Sequence, residues 1–342
     1  MNIQDAIALV MGRVDLTREQ ASEAMCCLMS GTATPAQMGG FLVGLRMKGE
    51  TVDEITGFAE TMRRFATPVP ATRRPLVDTC GTGGDHSGTF NISTTAAFVV
   101  AGAGVAVAKH GNRSATSRCG SADVLEALGV ALDQSPERVA QCIDEIGIGF
   151  LFARNLHGAM KHVAPVRAEL RTRTMFNLLG PLANPAGADG QVMGIFDTAL
   201  AEPIAGVLQR LGVRHAYVVS SHDGMDEISL SAPTLVAEAV NGVVRVYEIR
   251  PEEYGLSPAP REAILGGEAD ENARILRRVL EGERGPCRDI VILNAAPAIV
   301  AGQRARTISE GIKVAEQALD SGRALAALDA LIRYTTQSSK GS

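Results

Sequence analysis

One glycine-rich stretch, Asp78 to Thr94 (DTCGTGGDHSGTFNIST), constrains the fold more than any other part of the chain. It follows a short apolar run and precedes an Ala/Val-rich segment, which is the order strand, glycine-rich turn, helix. Gly81, Gly83 and Gly84 lack a Cβ, so backbone N–H groups can close around an anion there. The spacing matches neither a Walker loop nor a dinucleotide fingerprint. The stretch predicts an anion-binding loop; the alternative is an ordinary glycine-rich turn followed by a helix cap.

Hydroxyl and amide side chains continue this stretch to the point where the next helix is expected to begin. They are Thr89, Asn91, Ser93 and Thr94. Residues of these types cap helix N-termini, and the positive end of the helix dipole favours a phosphate at the same place. Together with Asp85, they make a phosphate site a better interpretation than a plain turn.

The charge of the chain argues against a polymeric anion as its ligand. Its 342 residues carry a formal net charge of −5, and no run of Lys or Arg stands out. The basic residues occur singly beside glycine and hydroxyl residues, which suits a small anionic ligand rather than a nucleic acid. The most apolar run, 96–108, has 13 residues, fewer than the roughly 18 expected of a membrane span. We therefore expect neither a nucleic-acid partner nor a membrane span.

Cysteine usage predicts a reducing compartment. The six cysteines are scattered, with no C-x-x-C pair and no histidine at metal-ligand spacing. The N-terminus carries an early acid and no basic region, unlike a signal peptide. We expect reduced thiols and a cytoplasmic protein.

Two regions of different character divide the chain. Residues 1–70 are expected to form a helical domain, since Thr17-x-x-Gln20 and Thr51-x-x-Glu54 are capping-box patterns and apolar residues recur at helical spacing after Thr51. Two prolines near residue 70 mark a linker. The remainder, 71–342, is expected to form an α/β domain, with a helical segment at about 157–185 packing near the first domain.

Strand-like and helical patterns alternate through the second region, which indicates a largely parallel sheet flanked by helices. Asn241-Gly242 predicts a hairpin within 235–249. A helix is expected from His157 to Leu170. The predicted strands are 76–79, 105–108, 149–152, 191–196, 215–220 and 290–293.

Three further groups of polar residues are expected near the sheet. Lys109 to Ser114 follow a predicted strand and resemble a second anion-binding loop, with Ser121 as the N-cap of the next helix; the alternative is a solvated basic turn. Asp226 and Glu227 follow another strand and could bind Mg²⁺, although such a pair alone is more often an exposed turn.

The third group is His157 and Arg167. They lie ten residues apart, near three turns of a helix at about 3.6 residues per turn, so one helical face could carry both. A helical arginine is more often solvated or salt-bridged.

Taken together, two oxyanion loops and an acidic pair predict a Mg²⁺-dependent enzyme acting on a multiply phosphorylated small molecule.

Several motifs in the chain resemble those of the anthranilate phosphoribosyltransferase family. They are GTGGD…GTFNIST, KHGNRS…GSADVLEALG, RTMFNLLGPLANP, DGMDEIS, GGEADENA and LNAAPAIVAG. The resemblance as a whole extends over roughly residues 4–331. The resemblance implies a small helical domain plus a larger α/β domain, and a homodimer formed through the helical domain. It also implies transfer of phosphoribosyl from 5-phosphoribosyl 1-diphosphate (PRPP) to the amine of anthranilate, with release of pyrophosphate, in tryptophan biosynthesis.

The same resemblance implies roles for individual residues. Lys109, Asn112 and Arg167 are the implied catalytic residues. Two Mg²⁺ ions per active site are implied at Ser93, Asp226 and Glu227. The implied anthranilate contacts are Gly81, His110, Asn112, His157 and Arg167. The implied PRPP contacts are Gly81, Gly84, Asp85, Thr89, Asn91, Ile92, Ser93, Thr94, Lys109, His110, Gly111, Asn112, Arg113, Ser114, Ala115, Thr116, Ser117 and Ser121.

Four positions depart from the family pattern. His86 and Arg171 stand where Gly is common, Cys119 where Ser is common, and Gly158 where Pro is common. Two other functions compete with the implied one. A pyrimidine-nucleoside phosphorylase would need nucleobase-binding residues in place of the anthranilate set. An inactive relative that binds nucleic acid would need a basic face and eroded metal residues.

Overall fold

Residues 1–114 and 118–337 are described by a computed structural model of the chain. The N-terminal region forms a bundle of helices: α1 (Ile3–Met11), α2 (Arg18–Met29), α3 (Pro35–Lys48) and α4 (Val52–Phe65). Both predicted capping boxes are present, at Thr17 and Thr51, and a third lies at Thr34. Each box satisfies two backbone N–H groups at a helix start, which fixes where α2, α3 and α4 begin.

A seven-stranded sheet forms the second region, in the order β3-β2-β1-β4-β5-β6-β7. Strands β1 to β5 pair in parallel, and β6 and β7 add an antiparallel hairpin that turns at Asn241-Gly242 as predicted. The strands are β1 (Leu76–Gly81), β2 (Ala106–Gly111), β3 (Ile148–Phe152), β4 (Gly190–Gly194), β5 (His215–Ser221), β6 (Thr234–Val240) and β7 (Val243–Ile249). The predicted fold class, a helical domain plus an α/β domain with a largely parallel sheet, is confirmed.

Helices connect and cover these strands. They are α5 (Ile92–Gly102), α6 (Ser121–Ala127), α7 (Pro136–Ile146), α8 (Ala153–Leu156), α9 (Ala164–Leu170), α10 (Phe176–Leu182), α11 (Ala201–Arg210), α12 (Ala269–Leu280), α13 (Pro286–Ala301), α14 (Ile308–Asp320) and α15 (Arg323–Gln337). Short 3₁₀ helices are Gly158–His162, Thr198–Leu200, Pro251–Tyr254 and Arg261–Ile264. In the described ranges, no helix combines the length and the apolar character needed to cross a membrane.

The sheet order places β1 at the switch point of the fold. From β1 the chain goes to β2 on one side and later to β4 on the other. Ligands of open α/β sheets bind beyond the carboxyl ends of strands at such a point. The loops that follow β1, β2 and β5 therefore form the region where a site is expected.

Two large hydrophobic cores lie on the sheet. One is built around α5 and the C-terminal helices and includes Phe90 and Ile92 beside the glycine-rich loop. The other joins the bundle α1–α4 to α9, α10 and α11 and includes Val166 and Phe176. Arg63 links α4 to this region, because its Nε and Nη1 atoms donate to the carbonyl oxygens of Leu182 (2.7 Å) and Leu211 (3.0 Å). The domain boundary near residue 70 remains a prediction.

The predicted strand 290–293 is wrong, because these residues lie inside α13. All four side chains are at most 1% exposed, and burial of each contributes roughly 1.5–3 kcal/mol in either secondary structure. A helix that is apolar on all sides has no polar face to reveal its period, so a short apolar run does not separate helix from strand. Pro286 at the helix start was the local signal for a helix.

The single helix predicted from His157 to Leu170 is also wrong. The chain forms α8, a 3₁₀ turn and α9 instead, and the break falls at His157, whose φ and ψ are −112° and 56°. Pro165 stands in the first turn of α9, where its missing N–H is tolerated. His157 and Arg167 therefore do not share the face of one helix.

Candidate functional site

The glycine-rich loop runs from the end of β1 to the start of α5, as predicted, with Asn91 as the N-cap of α5. A distant segment, 264–267, holds the second half of the loop. Phe90 N–H donates to the Ile264 carbonyl (3.2 Å), and Gly266 N–H donates to the Gly88 carbonyl (2.9 Å). Since these are backbone bonds, they define the path of the loop regardless of its side chains.

Two glycines allow close approaches within this loop. A Cβ on Gly81 would lie 2.5 Å from Oδ2 of Asp226, closer than real contacts permit. Gly84 has φ +74°, and a Cβ there would lie 3.3 Å from the guanidinium of Arg173. Each position therefore needs glycine for a different reason, the first for space and the second for backbone conformation.

The start of α5 joins the loop to the acidic turn. Ser93 N–H donates to Oε1 of Glu227 (3.1 Å). The Asn91 side chain caps no N–H; its Oδ1 accepts from Asn272 (2.9 Å) and its Nδ2 donates to the Cys119 carbonyl (3.2 Å). The side chains of Ile92 and Thr94 are buried in the core, so backbone groups are what these two positions offer a ligand. The Thr89 hydroxyl lies 3.2 Å from that of Ser87.

Lys109 lies within β2, not after it as predicted, because the strand extends to Gly111. Its Nζ donates to the Thr79 carbonyl and lies 3.4 Å from Oγ of Ser93. The side chain is buried. Burial raises the pKa of the neighbouring Asp78 carboxyl on β1, and the positive charge of Lys109 acts in the opposite direction. The structure therefore places this ammonium group between β1 and the start of α5.

His110 and His157 form a buried pair at the end of β2. Their Nε2 atoms are 3.1 Å apart. Burial lowers the pKa of His157 to about 4; burial, with the nearby His157 and Lys109, lowers the pKa of His110 to about 3. Both rings are therefore neutral near pH 7. Among described residues, Nδ1 of His157 has no hydrogen-bond partner.

The second loop is held by acids at the start of α6. Arg113 pairs with Asp123 (2.9 Å) and Glu126 (2.8 Å), and Ser114 N–H donates to Asp123 (3.0 Å). Asn112 accepts at its side chain from Arg113 N–H (2.8 Å). The guanidinium predicted to meet PRPP is thus engaged by two carboxylates. Ala115, Thr116 and Ser117 lie outside the described residues.

Ser121 is not the N-cap of α6, which corrects that prediction. Gly120 is the N-cap, and Asp123 accepts from its N–H (2.8 Å). Ser121 is the first helical residue, and its Oγ donates to the Asn112 carbonyl (3.3 Å). A Cβ on Gly111 would lie 2.1 Å from this Oγ, so the hydroxyl packs directly against the end of β2.

The acidic turn meets the glycine-rich loop. Gly83 N–H donates to Oδ2 of Asp226 (2.7 Å), and Asp226 N–H donates to Oδ2 of Asp85 (3.4 Å). Burial and the Asp85 charge raise the pKa of Asp226 to about 7, and burial and the Asp226 charge raise that of Glu227 to about 8. These carboxylates are close enough that their negative charges oppose one another.

Such a set of oxygens fits Mg²⁺, and a cation beside it would relieve the repulsion that raises both pKa values. In the described part of the chain, no three or more His, Cys, Asp or Glu side chains are arranged to hold a metal by themselves. Mg²⁺ commonly uses one or two carboxylates and completes its shell with water and substrate phosphates. The donor set of Asp226 and Glu227 has that character.

Two features that the sequence did not indicate hold this turn in place. Asp223 accepts from the hydroxyl of Ser229 (2.7 Å). Buried Asn294 on α13 accepts from Ile228 N–H (2.8 Å) and donates to the Ile228 carbonyl (2.9 Å). Asn294 lies in the LNAAPAIVAG motif, but its role depends on a contact 66 residues away in the chain.

Arg167 lies on α9 against the ring of Phe176, with 5.3 Å between its guanidinium carbon and the ring centroid. Burial lowers its pKa from the usual value. In the described ranges it forms no ion pair with an acidic side chain. A half-buried guanidinium of this kind is suited to a carboxylate ligand.

At two of the positions that depart from the family pattern, the backbone has a positive φ. His86 adopts φ +56°, a left-handed conformation that explains why glycine is common there. Arg171 adopts φ +48° at the end of α9, for the same reason. Burial raises the pKa of Cys119 to about 11, so its thiol is neutral at pH 7.

Comparison with known proteins gives consistent matches. The family model described as the a/b domain of a glycosyl transferase family matches residues 73–325, and that family's helical bundle domain matches residues 4–66. Anthranilate phosphoribosyltransferase of Symbiobacterium thermophilum is 61% identical over 94% of each chain.

Solved structures agree with these matches. Anthranilate phosphoribosyltransferase of Thermus thermophilus superposes with a TM-score of 0.93 at 48% identity, covering 97% of this chain and 99% of its own. The enzyme of Saccharomyces cerevisiae, solved in complex with PRPP and Mg, superposes with a TM-score of 0.90 at 26% identity, covering 98% of both chains.

Proposed function

The chain belongs to the anthranilate phosphoribosyltransferase family, and from this premise we propose which of its groups carry the reaction. The enzyme transfers the phosphoribosyl group of PRPP to the amine of anthranilate, giving N-(5-phosphoribosyl)anthranilate and pyrophosphate, in a Mg²⁺-dependent reaction of tryptophan biosynthesis.

The diphosphate of PRPP binds, in our proposal, between the glycine-rich loop and the end of β2. The observation that carries this assignment is the pair of hydrogen bonds from Gly83 N–H to Asp226 and from Ser93 N–H to Glu227. They bring the acidic turn against the loop and the start of α5. Asp226, Glu227 and Ser93 would hold Mg²⁺, which offsets the negative charge of the phosphates when bound. We propose two ions per site.

Lys109 supplies positive charge from the protein itself. As the diphosphate leaves, the sugar develops oxocarbenium character and the departing oxygens gain negative charge. An ammonium group already held by Thr79 and Ser93 needs no rearrangement to oppose that charge. The loop N–H groups and the N-terminus of α5 act in the same direction. Asn112, Arg113, Ser114, Ala115, Thr116, Ser117 and Ser121 complete the proposed PRPP contacts.

Anthranilate binds, in our proposal, beside Arg167 and the neutral pair His110 and His157. Arg167 would meet the carboxylate, and Gly81 and Asn112 would flank the ring. The neutral histidines leave the guanidinium as the positive group of this subsite. The aryl amine is uncharged at pH 7 and has a usable lone pair, so alignment with the anomeric carbon supplies much of the catalysis.

One assay tests the reaction directly. Anthranilate fluorescence is followed with PRPP in the presence of Mg²⁺ or EDTA, and pyrophosphate is measured in parallel. We expect a decay with Mg²⁺, matched by an equal amount of pyrophosphate, and no decay with EDTA. A folded protein that binds PRPP yet leaves anthranilate unchanged would require another acceptor.

We also propose a homodimer formed through the helical domain. Met11, Val14, Val43 and Met47 are apolar side chains of that domain, and each is at least 39% exposed in the single chain. Covering them with a second copy would remove apolar area from water. Sedimentation of the wild type and of Met11→Glu with Met47→Glu tests this. We expect a dimer for the first and a monomer for the second.

A cytoplasmic location is the last part of the proposal. It is supported by the free state of all six cysteines. Cell fractionation with an antibody against the chain would test it.

A further inference from the structure

Arg173 contacts the glycine-rich loop, although it lies in the connection between α9 and α10 and has no role in the assignments above. Its Nη2 atom donates to the carbonyl oxygen of Gly84. Its guanidinium carbon lies 3.8 Å from the centroid of the Phe196 ring, just beyond β4. Within the described chain it has no ion pair with an acidic side chain. The guanidinium is therefore held by a carbonyl and an aromatic face, and its charge is not neutralised by a neighbour.

The contact determines how one peptide group of the loop is oriented. Gly84 adopts φ +74°, and Arg173 binds its carbonyl oxygen. Because a trans peptide is planar, the N–H of Asp85 must point away from that carbonyl. In the described ranges, this N–H donates to no other residue. Arg173 thus holds a free backbone donor in one direction within the loop.

The orientation of the same peptide group also sets the position of the Asp85 Cα, and so the contacts that the Asp85 carboxylate can make. Oδ2 of Asp85 accepts from Asp226 N–H (3.4 Å), and Oδ1 accepts from Ser87 N–H (3.2 Å). A rotation of the 84–85 peptide would therefore disturb the N–H donor and the contact between loop and acidic turn together. Phe196 limits such a rotation, because stacking restricts where the guanidinium can lie.

We propose that Arg173 is a positioning residue for PRPP, which acts by holding the Gly84 carbonyl so that the Asp85 N–H faces the diphosphate. The inference rests on the proposed location of the PRPP site. Arg173 acts through the loop and is not assigned a contact with the reacting atoms. Its effect belongs to the affinity for PRPP, not to anthranilate or to the chemical step.

Steady-state kinetics of four variants test the inference. Arg173→Ala should raise the KM for PRPP about tenfold to hundredfold, the range expected on losing a hydrogen bond from a charged group. The kcat and the KM for anthranilate should stay within about twofold. Arg173→Lys should restore part of the affinity, since the charge remains but the planar fork and the stacking are lost. Phe196→Leu should raise the KM for PRPP less than Arg173→Ala does.

Arg171→Gly is the matched control. Arg171 is an exposed arginine two residues away, and glycine suits its φ of +48°. This variant loses the same charge, so an equal rise in the KM for PRPP would mean general electrostatics and would overturn the proposal. An unchanged KM for PRPP in folded Arg173→Ala would also overturn it. So would a parallel rise in the KM for anthranilate with a lower Tm, which would indicate a merely structural role.

Calorimetric titration of PRPP with Mg²⁺ separates this inference from the site assignment beneath it. Asp226→Asn with Glu227→Gln should abolish the Mg²⁺-dependent part of binding if the site is correctly located. Normal binding by that variant would move the site. A correct site with unchanged PRPP affinity in Arg173→Ala would leave the site assignment intact and refute the role of Arg173 alone.

Discussion

The Nε2 atoms of His110 and His157 are 3.1 Å apart in a buried contact between residues 47 positions apart in the chain. One ring must donate and the other accept, so the contact requires at least one neutral imidazole. The lowered pKa values, about 3 for His110 and about 4 for His157, agree with two neutral rings. The pair therefore adds hydrogen bonding without adding charge at the end of β2, where we propose that anthranilate binds.

The first prediction concerns the stability of the fold against pH. Below about pH 6.5 the unfolded chain protonates these histidines, whereas the folded chain does not until about pH 4. The unfolded state then binds more protons, so stability falls as pH falls through this window, by at most roughly 1.4 kcal/mol per pH unit per histidine. Urea unfolding at pH 7.5, 6.0 and 5.0 measures this loss. His157→Gln should show a shallower loss; an unchanged slope would contradict the prediction.

The second prediction compares two glycines of the same loop. In Gly81→Ala the new Cβ would lie 2.5 Å from Oδ2 of Asp226, so the carboxylate must move. We expect kcat to fall about hundredfold, as a misplacement near 1 Å can do. Gly83→Ala has no atom within 4 Å of its Cβ, and its φ of +66° costs only about 1–3 kcal/mol. It should lower Tm and keep most activity. Equal kcat values in the two variants would argue against a steric role for Gly81.

The third prediction concerns the acidic turn. Asp226→Asn with Glu227→Gln removes the two carboxylates among the proposed metal ligands, and we expect Mg²⁺-dependent turnover to fall about a hundred- to thousandfold. Because burial and mutual repulsion raise both pKa values, the variant should also be more stable than the wild type in EDTA. Turnover across a Mg²⁺ titration and Tm in EDTA are the measurements. Glu248→Gln, an exposed change on β7, is the control. Retained turnover would place the metal elsewhere.

The fourth prediction concerns anthranilate. Arg167→Ala removes the half-buried guanidinium, and the KM for anthranilate should rise about tenfold to hundredfold, with the KM for PRPP little changed. Arg154→Ala, on the exposed side of α8, provides a comparison with equal loss of charge. Initial rates with each substrate varied in turn give the two KM values for each variant. If the KM for anthranilate is the same in both variants, Arg167 does not bind the carboxylate.

The fifth prediction concerns Asn294, which is buried on α13 and bonds both backbone groups of Ile228. Asn294→Leu keeps a similar volume but leaves those groups without partners, at about 1–3 kcal/mol for each. We expect a lower Tm and a raised Mg²⁺ requirement, since Glu227 directly precedes Ile228 in the chain. Ile292→Leu, a buried apolar change on the same helix, should alter neither property by much. A normal Mg²⁺ requirement in Asn294→Leu would leave Asn294 with a purely structural role.

Much of the fold was predictable because local chemistry determines it. The capping boxes at Thr17 and Thr51, the Asn241-Gly242 hairpin and the order strand, glycine-rich loop, helix all depend on residues within a few positions of one another. The candidate site was predicted to the extent that its residues follow strands, since parallel strands end at one edge of a sheet.

The errors arise where distant packing decides the structure. The segment 290–293 is apolar on every side because it is buried on every side, so no periodicity distinguishes helix from strand. The contacts of His157, Arg173 and Asn294 join residues far apart in sequence. Spacing within one segment carries no information about such contacts.

The two hydrophobic cores divide the site between them. Residues proposed for PRPP follow β1 and start α5, whose core includes Phe90 and Ile92, whereas Arg167 lies on α9, whose core is shared with the helical bundle. An activated phosphoribosyl group can also react with water, so the acceptor amine must be held in line with the anomeric carbon. In the proposed site, the packing of α9 in the core shared with the bundle therefore sets where Arg167, and with it the acceptor, lies relative to the activated sugar.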